Sequence, residues 1–319
     1  PPDFALAVSA LKPEELNAVL RIATPLPAGK YLHWDELRHR PPPEGLSHEA
    51  WWASVIFARN AQMQSLPLLD KRGESFKFAM PSPVLVDLHH IDRDAAGQLH
   101  AQSDGPLHDD PKRYLLSSLI EEAITSSQLE GASTTRKVAA AMLRSGRRPR
   151  DHSETMIFNN YRAMEHLRSL KHTPITPQAI LDLHRLLTEN TLDNPEDAGR
   201  LRLSDDVQVV DSRDHTILHV PPPHAELPAR LERLCAFANS DETAIPFVHP
   251  VLRAILLHFM IGYDHPFADG NGRTARALFY WSMARSGYWL MEYTSISHIL
   301  RKAPARYVRA YLYSETDDN

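Results

Sequence analysis

The sequence predicts a mainly α-helical protein with one β-hairpin and an N-terminal segment of mixed α and β structure. Over most of residues 111–319, apolar side chains recur at helical spacing, which is typical of amphipathic or buried helices. Two runs rich in β-branched residues, 207–210 and 216–220, flank a polar turn and predict the hairpin. Within residues 1–110, prolines and strand-like runs such as 76–86 interrupt the helical patterns. We therefore expect an α+β annex over 1–110 and a helical core over 111–319.

Helix boundaries follow from the apolar period and from the residues that begin and end helices. Thr176-Pro177 is typical of a helix start, because a side-chain cap is followed by Pro in the first turn. Gly131 is typical of the position just after a helix end. The predicted helices span residues 13–21, 47–64, 114–129, 135–144, 153–170, 178–189, 225–239, 251–263, 271–285, 296–302 and 305–313. We expect Trp34, Trp51 and Trp52 to lie in the annex core.

Composition restricts the class of protein. The 319 residues, of which 43% are hydrophobic, can form one large domain or a core with a smaller annex. A net charge of −5 does not indicate general nucleic-acid binding, and the basic run 144–150 is interpreted as a solvated loop. Cys235 is the one cysteine, so no disulfide can form within the chain. The sequence shows no secretory signal and no long apolar run, so we expect a cytoplasmic protein.

The most informative segment is 265–276, which reads His-Pro-Phe-Ala-Asp-Gly-Asn-Gly-Arg-Thr-Ala-Arg. Pro266 cannot continue the apolar helix before it, so the segment begins as a loop between two helices. Gly270 and Gly272 permit positive φ and a close approach of the backbone to a ligand. The helix that follows offers free N–H groups and the positive end of its dipole, a combination that binds anions.

The side chains of this segment suit the handling of a polyphosphate. Arg273 and Arg276 lie three residues apart, so they share a helix face and can both bond phosphate oxygens. Asp269 offers a hard oxygen ligand for Mg²⁺, which commonly bridges substrate phosphates. His265 has an ordinary pKa of about 6.5 and can accept a proton from an attacking hydroxyl.

These twelve residues resemble the signature of the Fic family, H-P-F-x-[D/E]-G-N-G-R-x-x-R, with every fixed position filled. The resemblance implies a Fic fold and transfer of AMP from ATP–Mg²⁺ to a Ser, Thr or Tyr hydroxyl of a target protein. It implies that His265 deprotonates the hydroxyl, that Phe267 anchors the loop and that Asp269 holds Mg²⁺. The implied nucleotide-binding set comprises Phe267, Gly270, Asn271, Gly272, Arg273, Thr274, Ala275 and Arg276, of which Arg276 would reach the γ-phosphate. The Doc-like branch, which phosphorylates its target, has Lys in place of Gly272, so Gly at this position favours nucleotidyl transfer.

A second motif lies far upstream, in a predicted helix over about 113–130. Ser126 and Glu130 are four residues apart and so share one helix face. With Gly131 they resemble the inhibitory motif [S/T]-x-x-x-E-[G/N] of one Fic class. That resemblance implies that Glu130 pairs with Arg276 and leaves ATP poorly oriented for attack. A misplacement of about 1 Å can lower a rate about a hundredfold.

Other segments extend the resemblance. Residues 198–202 are similar to the family segment A-G-x-[YFL]-R. The hairpin over about 207–220 corresponds to the family's flap, which holds the target as an added strand. The last two predicted helices would touch the adenine side, with Arg301 and Lys302 as candidates. His258 and Cys235 are interpreted as structural.

Three alternatives to AMP transfer remain open. The same site could remove AMP from a modified protein, with Glu130 positioning water. Another donor, such as UTP, GTP or a choline diphosphate, could replace ATP. A regulatory protein could use the site as a nucleotide sensor, with a DNA-binding module beyond residue 319. The expected partner is a protein target. We expect no membrane partner and nucleic acid only through such a module, and the sequence leaves a homodimer open.

Overall fold

The structure of the protein, a computed structural model, describes residues 1–96, 111–210 and 216–316. The chain forms two units, each with its own contacts. The first comprises Pro1–Leu66, Phe76–Asp87 and Arg309–Asn319, and the second comprises Pro67–Ser75 and Leu88–Val308. The domain boundary predicted at residue 110 lies outside the described residues and stays a prediction.

The first unit is built around a buried helix that carries two tryptophans. Its helices are α1 (Phe4–Ser9), α2 (Pro13–Ile22), α3 (Trp34–Leu37) and α4 (His48–Asn60). Ser47 caps α4, because its Oγ accepts a hydrogen bond from the N–H of Ala50 at 3.1 Å. Trp51 and Trp52 are buried, and Trp34 packs against their cluster, as the sequence predicted.

A small sheet and a helix follow α4. Strands β1 (Gln64–Leu69) and β2 (Ser75–Phe78) form a two-stranded sheet, and α5 covers Ser82–Ala95. The helix predicted over 47–64 is therefore too long, since its last residues belong to a loop and to β1. The strand-like interpretation of 76–86 is wrong beyond Phe78. Pro is compatible with the first turn of a helix, so Pro83 does not prevent α5.

The second unit holds the helical core. Its helices are α6 (Pro111–Leu129), α7 (Arg136–Ser145), α8 (His152–Ser169), α9 (Pro177–Thr188), α10 (Leu227–Ala238), α11 (Pro250–Asp264), α12 (Asn271–Arg285), α13 (Ile296–Lys302) and the start of α14 (Pro304–Thr316). Thr176 caps α9 and Pro177 is its first residue, as predicted. Helices α11 and α12 pack against each other, and α12 is buried along almost its whole length. This pair carries the loop that the sequence singled out.

Two further elements flank the pair. Helix α6 packs on α7 and α8 through an apolar cluster that includes Ile120, Ala123 and Ile124. The predicted hairpin is present as β3 (Val209–Val210) and β4 (Ile217–His219), which pair antiparallel. Its turn, 211–215, lies outside the described residues. None of the helices described is both long and apolar enough to span a bilayer.

Candidate active site

The loop between α11 and α12 begins with a strained histidine. His265 follows the last residue of α11 and has left-handed backbone geometry, with φ 43° and ψ 57°. This conformation costs a residue other than Gly about 1–2 kcal/mol, so neighbouring groups must stabilise it. The His265 N–H donates to Ile261 O at 3.1 Å. Arg202 holds the other side: its Nε donates to His265 O at 2.9 Å and its backbone N–H donates to Pro266 O at 2.9 Å.

The His265 imidazole is chemically suited to accept a proton. It is partly buried, and burial lowers its pKa below the ordinary value of 6.5, although the Gly262 carbonyl acts in the opposite direction. Nδ1 lies 3.4 Å from Gly262 O, which can only accept a hydrogen bond. Because the pKa is lowered, the ring is neutral near pH 7, and a proton on Nδ1 leaves Nε2 with a lone pair that can accept a proton.

Phe267 and Asn271 close the loop on itself. The Phe267 N–H donates to Asn271 Oδ1 at 2.9 Å, and Asn271 Nδ2 donates back to Phe267 O at 2.8 Å. Phe267 is fully buried and stacks on the His184 ring, with the ring centres 3.8 Å apart. The aromatic side chain thus anchors the loop in the core, and the Asn271 amide fixes its shape.

His184, on α9, is a second anchor that the sequence did not reveal. Its Nε2 donates to Asp269 O at 2.8 Å, while its Nδ1 accepts from the Gly199 N–H at 2.9 Å. Burial lowers its pKa to about 4, so the ring is neutral and holds this pair of bonds near pH 7. The only sequence signal is a histidine at a core position of an amphipathic helix, which by itself indicates packing.

The start of α12 is shaped to face an anion. Gly270 has φ 83°, and a Cβ at this position would lie 2.6 Å from Thr188 Cγ2. Only Gly fits there, and it leads directly into the helix, whose first N–H groups lack carbonyl partners within the helix. These N–H groups and the helix dipole favour a phosphate at this point.

Arg273 is a buried cation with unused hydrogen-bonding capacity. Its side chain is 1% exposed, and its Nη1 donates to Leu187 O at 3.1 Å. Within the described residues, Nε of Arg273 and Oγ1 of Thr274 are buried without a hydrogen-bond partner. Burial lowers the pKa of Arg273, whereas the Asp269 carboxylate acts to raise it. A phosphate oxygen would supply the acceptor that such a donor needs.

Asp269 is the candidate ligand for a magnesium ion. Its side chain is 61% exposed, and its Oδ2 lies 3.2 Å from Arg273 Nη2. The part of the chain that the structure describes has no group of three or more His, Cys, Asp or Glu residues that could hold a metal. Mg²⁺ is commonly bound by one or two carboxylates together with substrate phosphates and waters. The residues therefore fit a magnesium ion that arrives with a nucleotide.

The other arginine of the segment is already paired. Arg276 is 3% exposed, and its Nη2 donates to Glu130 Oε1 at 2.9 Å. Ser126 completes the contact, because its Oγ accepts from Arg276 Nε at 2.8 Å and its carbonyl accepts from Nη2 at 2.9 Å. Burial acts to lower the pKa of Arg276, but the anionic and polar groups around it, of which Glu130 acts most strongly, together raise the pKa above its ordinary value. The structure thus brings the two sequence motifs together.

Glu130 reaches Arg276 because α6 ends with a well-defined turn. Gly131 has φ 94°, and the N–H of Ala132 donates to Ser127 O at 3.0 Å. The Gly131 N–H donates to Gln128 O at 3.2 Å, which completes the pair of bonds typical of a helix end with Gly. Glu130 therefore lies in the turn directly after Leu129, the last residue of α6, and Gly131 follows it at the position that the sequence predicted.

Comparisons with known proteins identify the family that part of this chain resembles. Residues 174–283 match the Fic/DOC family. The chain contains a Fic domain. Among curated relatives, it is 26% identical over 199 residues to the protein adenylyltransferase Fic of Culex quinquefasciatus, covering 61% of this chain and 37% of the relative. It is 29% identical over 185 residues to that of Nematostella vectensis, covering 56% and 40%. The chain thus spans about two fifths of the length of these relatives.

Solved structures show that the fold is the Fic fold. A Fic family protein from Desulfovibrio desulfuricans superposes with a TM-score of 0.56 at 19% identity, over 73% of this chain and 65% of that chain. A Fic domain containing signaling protein from Bacteroides thetaiotaomicron superposes with a TM-score of 0.53 at 18% identity, over 74% and 97%. Fic-1 from C. elegans gives a TM-score of 0.51 at 19% identity, over 87% and 80%. The predicted mainly α fold class is confirmed.

The hairpin of the Fic domain lies beside the end of α11. His219, on β4, has Nε2 2.7 Å from Tyr263 O, two residues before His265. Val210 and Ile217 are 43% and 53% exposed, so the hairpin presents apolar side chains to solvent. The turn between β1 and β2 also reaches this region: the Lys71 N–H donates to Tyr263 Oη at 3.0 Å. The sequence predicted the hairpin but not this turn.

The structure supports a structural role for His258 and Cys235. His258 Nε2 lies 2.7 Å from Tyr307 Oη, and burial lowers its pKa to about 3. Cys235 is buried, and burial raises the pKa of its thiol to about 12, which makes the thiol unreactive. Arg301, a candidate for the adenine side, donates from Nη1 to Gln128 Oε1 on α6, and its contact with a nucleotide stays a prediction.

Proposed function

We propose that this protein is a protein adenylyltransferase, which transfers AMP from ATP to a Ser, Thr or Tyr hydroxyl of a target protein. The proposal rests on one arrangement. A neutral, partly buried His265 lies at one end of a short loop, and Gly270 with the first residues of α12 lies at the other end. Both ends are held by partly buried hydrogen bonds from Arg202 and His184. A base and an anion site are thereby held at fixed separation.

The reaction follows from these positions. The triphosphate binds to the first N–H groups of α12 and to Arg273, and these donors stabilise the charge that develops on the phosphate oxygens. Bound at Asp269, a magnesium ion would neutralise phosphate charge. His265 accepts the hydroxyl proton as the target oxygen forms its bond to the α-phosphorus. The bond between the α-phosphorus and the bridging oxygen breaks, and pyrophosphate leaves.

In the same proposal, Glu130 holds the enzyme in an inhibited state. Arg276 is the cation that should meet the γ-phosphate, and its guanidinium is bound by Glu130 and Ser126. A nucleotide that binds beside this pair lacks one of its phosphate contacts, so its α-phosphate is poorly aligned for attack. This inhibits the reaction because a displacement of the reacting atoms by about 1 Å can lower the rate about a hundredfold.

The hairpin would position the target. Main-chain pairing with a strand edge aligns a segment with little dependence on its sequence. The contact between His219 and Tyr263 joins the hairpin to the helix that ends at His265. A target segment held there would present its hydroxyl to the imidazole.

The test uses two variants, one control variant and two radiolabels. Glu130→Gly should transfer label from α-labelled ATP, with magnesium, to proteins of a cell lysate or to the enzyme itself. Glu130→Gly combined with His265→Ala should bind ATP in calorimetry and transfer nothing. Glu44→Gly, which changes an exposed loop carboxylate, is the matched control and should behave as wild type. Transfer from γ-labelled ATP would instead indicate phosphorylation, and ATP binding without any transfer would indicate a nucleotide sensor.

Removal of AMP is the second candidate function. Glu130 favours it, because the intact carboxylate lies beside the anion site with its side chain 26% exposed and could position a water molecule. The discriminating assay loads a pre-AMPylated protein and measures released AMP in wild type and Glu130→Gly. Release by wild type that is lost in Glu130→Gly would favour removal. Competition by UTP, GTP and CDP-choline in the same assays tests the donor. The cytoplasmic location stays a prediction.

A further inference from the structure

Helices α6 and α12 contact each other through residues spaced four apart on both. Glu130 pairs with Arg276, Ser126 bonds the same guanidinium, and Glu122 accepts a hydrogen bond from Tyr280 Oη at 2.8 Å. Residue numbers rise along α12 as those of their partners fall along α6, so the two helices run antiparallel in this contact. Residues four apart share a helix face, which makes Glu122 the next step of one continuous row that ends at Glu130.

Glu122 is a buried carboxylate that joins three helices. Its side chain is 2% exposed. Besides Tyr280 on α12, it accepts from Ser295 Oγ at 2.9 Å, from the Ser297 N–H at 3.0 Å and from Ser297 Oγ, at the start of α13. Burial, and next the Glu122 charge, raise the pKa of Tyr280 well above its ordinary value, so the hydroxyl stays a donor. A buried carboxylate is tolerated only with such a full set of donors.

The rest of the contact between α13 and α6 is also polar. His298 Nδ1 lies 3.1 Å from Glu121 Oε1, and Ser295 Oγ lies 3.3 Å from Thr125 Oγ1. Arg301 donates to Gln128, two residues before Glu130. Hydrogen bonds between α13 and α6 therefore extend along α6 from residue 121 to residue 128, close to Glu130.

The opposite side of α6 is different in kind. There Ile120, Ala123 and Ile124 lie in an apolar cluster with α7 and α8. Separating apolar surfaces exposes them to water at a cost that grows with area, whereas broken hydrogen bonds are replaced in part by hydrogen bonds to water. The side facing α13 is thus the side from which α6 is more easily released.

We propose that Glu122 is a positioning residue for Glu130, and that α13 is a strap that holds the inhibitory end of α6 against α12. The proposal rests on the proposed function, of which it specifies the regulation. When the bonds of Glu122 are lost, the last two turns of α6 shift relative to α12, and Glu130 leaves Arg276. Release of the inhibited state then begins at α13.

The experiment substitutes one residue on α6 and one on α13, each alone and in combination with Glu130→Gly. Glu122→Gln places an amide NH₂ among groups that donate, and Ser297→Ala removes one of those donors. Each should raise AMP transfer relative to wild type by about tenfold. This is the effect expected when the inhibited state is destabilised by about 1.4 kcal/mol relative to the active state. Neither should raise the rate further in the Glu130→Gly background, since both act through Glu130. Glu165→Gln, which removes an exposed carboxylate bonded to Tyr161 Oη, is the matched control and should not activate.

Hydrogen–deuterium exchange of residues 122–130 provides a readout that does not require activity. Exchange should be faster in Glu122→Gln and Ser297→Ala than in wild type and Glu165→Gln. If Glu122→Gln does not fold, Ser297→Ala carries the test. Wild-type rates in both variants, while Glu130→Gly is active, would overturn the strap, as would a loss of rate in the Glu130→Gly background. If Glu130→Gly shows no transfer, the proposed function fails, and unchanged exchange would then overturn the strap independently.

Discussion

The carboxylate of Glu130 fills the space that a side chain at Gly272 would occupy. A Cβ on Gly272 would lie 2.2 Å from Oε1 of Glu130, far inside any allowed contact. The Glu130 carboxylate therefore rests directly against the first turn of α12, as well as on Arg276. The absence of a side chain at Gly272 admits either this carboxylate or a phosphate to the helix start.

Gly272→Ala should therefore affect stability in opposite ways in two backgrounds. In a helix, Ala is more favourable than Gly by up to about 1 kcal/mol. We expect Gly272→Ala to stabilise the Glu130→Gly protein by a few tenths to about 1 kcal/mol. In the wild-type background the new methyl must displace Glu130, so the gain should vanish or become a loss. Chemical unfolding of the four proteins measures this coupling, and equal effects in both backgrounds would contradict the contact.

Gly270→Ala should destabilise the protein more than Gly287→Ala does. Both glycines have positive φ, 83° and 82°, so each substitution costs about 1–2 kcal/mol in backbone energy. At Gly287 a Cβ meets nothing within 4 Å, whereas at Gly270 it meets Thr188 Cγ2 at 2.6 Å. We expect Gly270→Ala to cost at least a further 1–3 kcal/mol, as overpacking does. Unfolding midpoints of the two variants give the comparison, and equal losses would show that the loop is not packed as described.

His184 should make stability depend on acidity. Its pKa in the folded state is about 4, below the ordinary 6.5 that it regains on unfolding. As the pH falls from about 6.5 toward 4, the unfolded chain binds a proton that the folded chain excludes, so the free energy of unfolding decreases. His184→Gln removes this term. Its stability deficit relative to wild type should be largest at pH 7 and narrow by pH 5; a deficit that does not change with pH would refute the assignment.

Arg202→Lys should slow the reaction without weakening nucleotide binding. Arg202 Nε holds His265 O, and its other nitrogens donate to the carbonyls of Ser204 and Pro222. Lys cannot reproduce this planar fork, so the imidazole loses its fixed position. In the Glu130→Gly background we expect kcat to fall about tenfold to a hundredfold while the Kd for ATP changes little. A fall in ATP affinity with kcat unchanged would assign Arg202 to binding instead.

The residues predicted from sequence share one property: they lie close together along the chain. A segment of twelve residues contains His265, Asp269, Arg273 and Arg276. Within it, Pro266 indicates a loop and Gly270 indicates the start of the helix that follows. Local rules on φ, helix ends and side-chain spacing therefore suffice to place them on one loop and on the start of the helix that follows it. Glu130 was predicted because its motif is equally local, although its contact with Arg276 spans 146 residues.

The supporting residues could not be predicted in this way. His184 and Glu122 each lie in a segment whose local pattern indicates only a helix. Arg202 lies in the segment 198–202, whose resemblance to a family segment did not assign it a role. Their roles depend on bonds to Asp269, His265 and Tyr280, which lie between 63 and 158 residues away. The strand-like run 76–86 shows the same limit, since Ser82–Ala95 forms a helix despite its Pro and β-branched residues.

The sequence by itself determined the helical class, the loop and helix start over 265–276 and the chemical groups that this segment presents, because each depends on neighbours within a turn or two. The tertiary structure decided that Glu130, and not solvent, meets Arg276 and Gly272, that His184 and Arg202 hold the loop, and that Glu122 ties α6 to α12 and α13. Those contacts arise from packing of distant helices, and packing depends on the three-dimensional path of the whole chain.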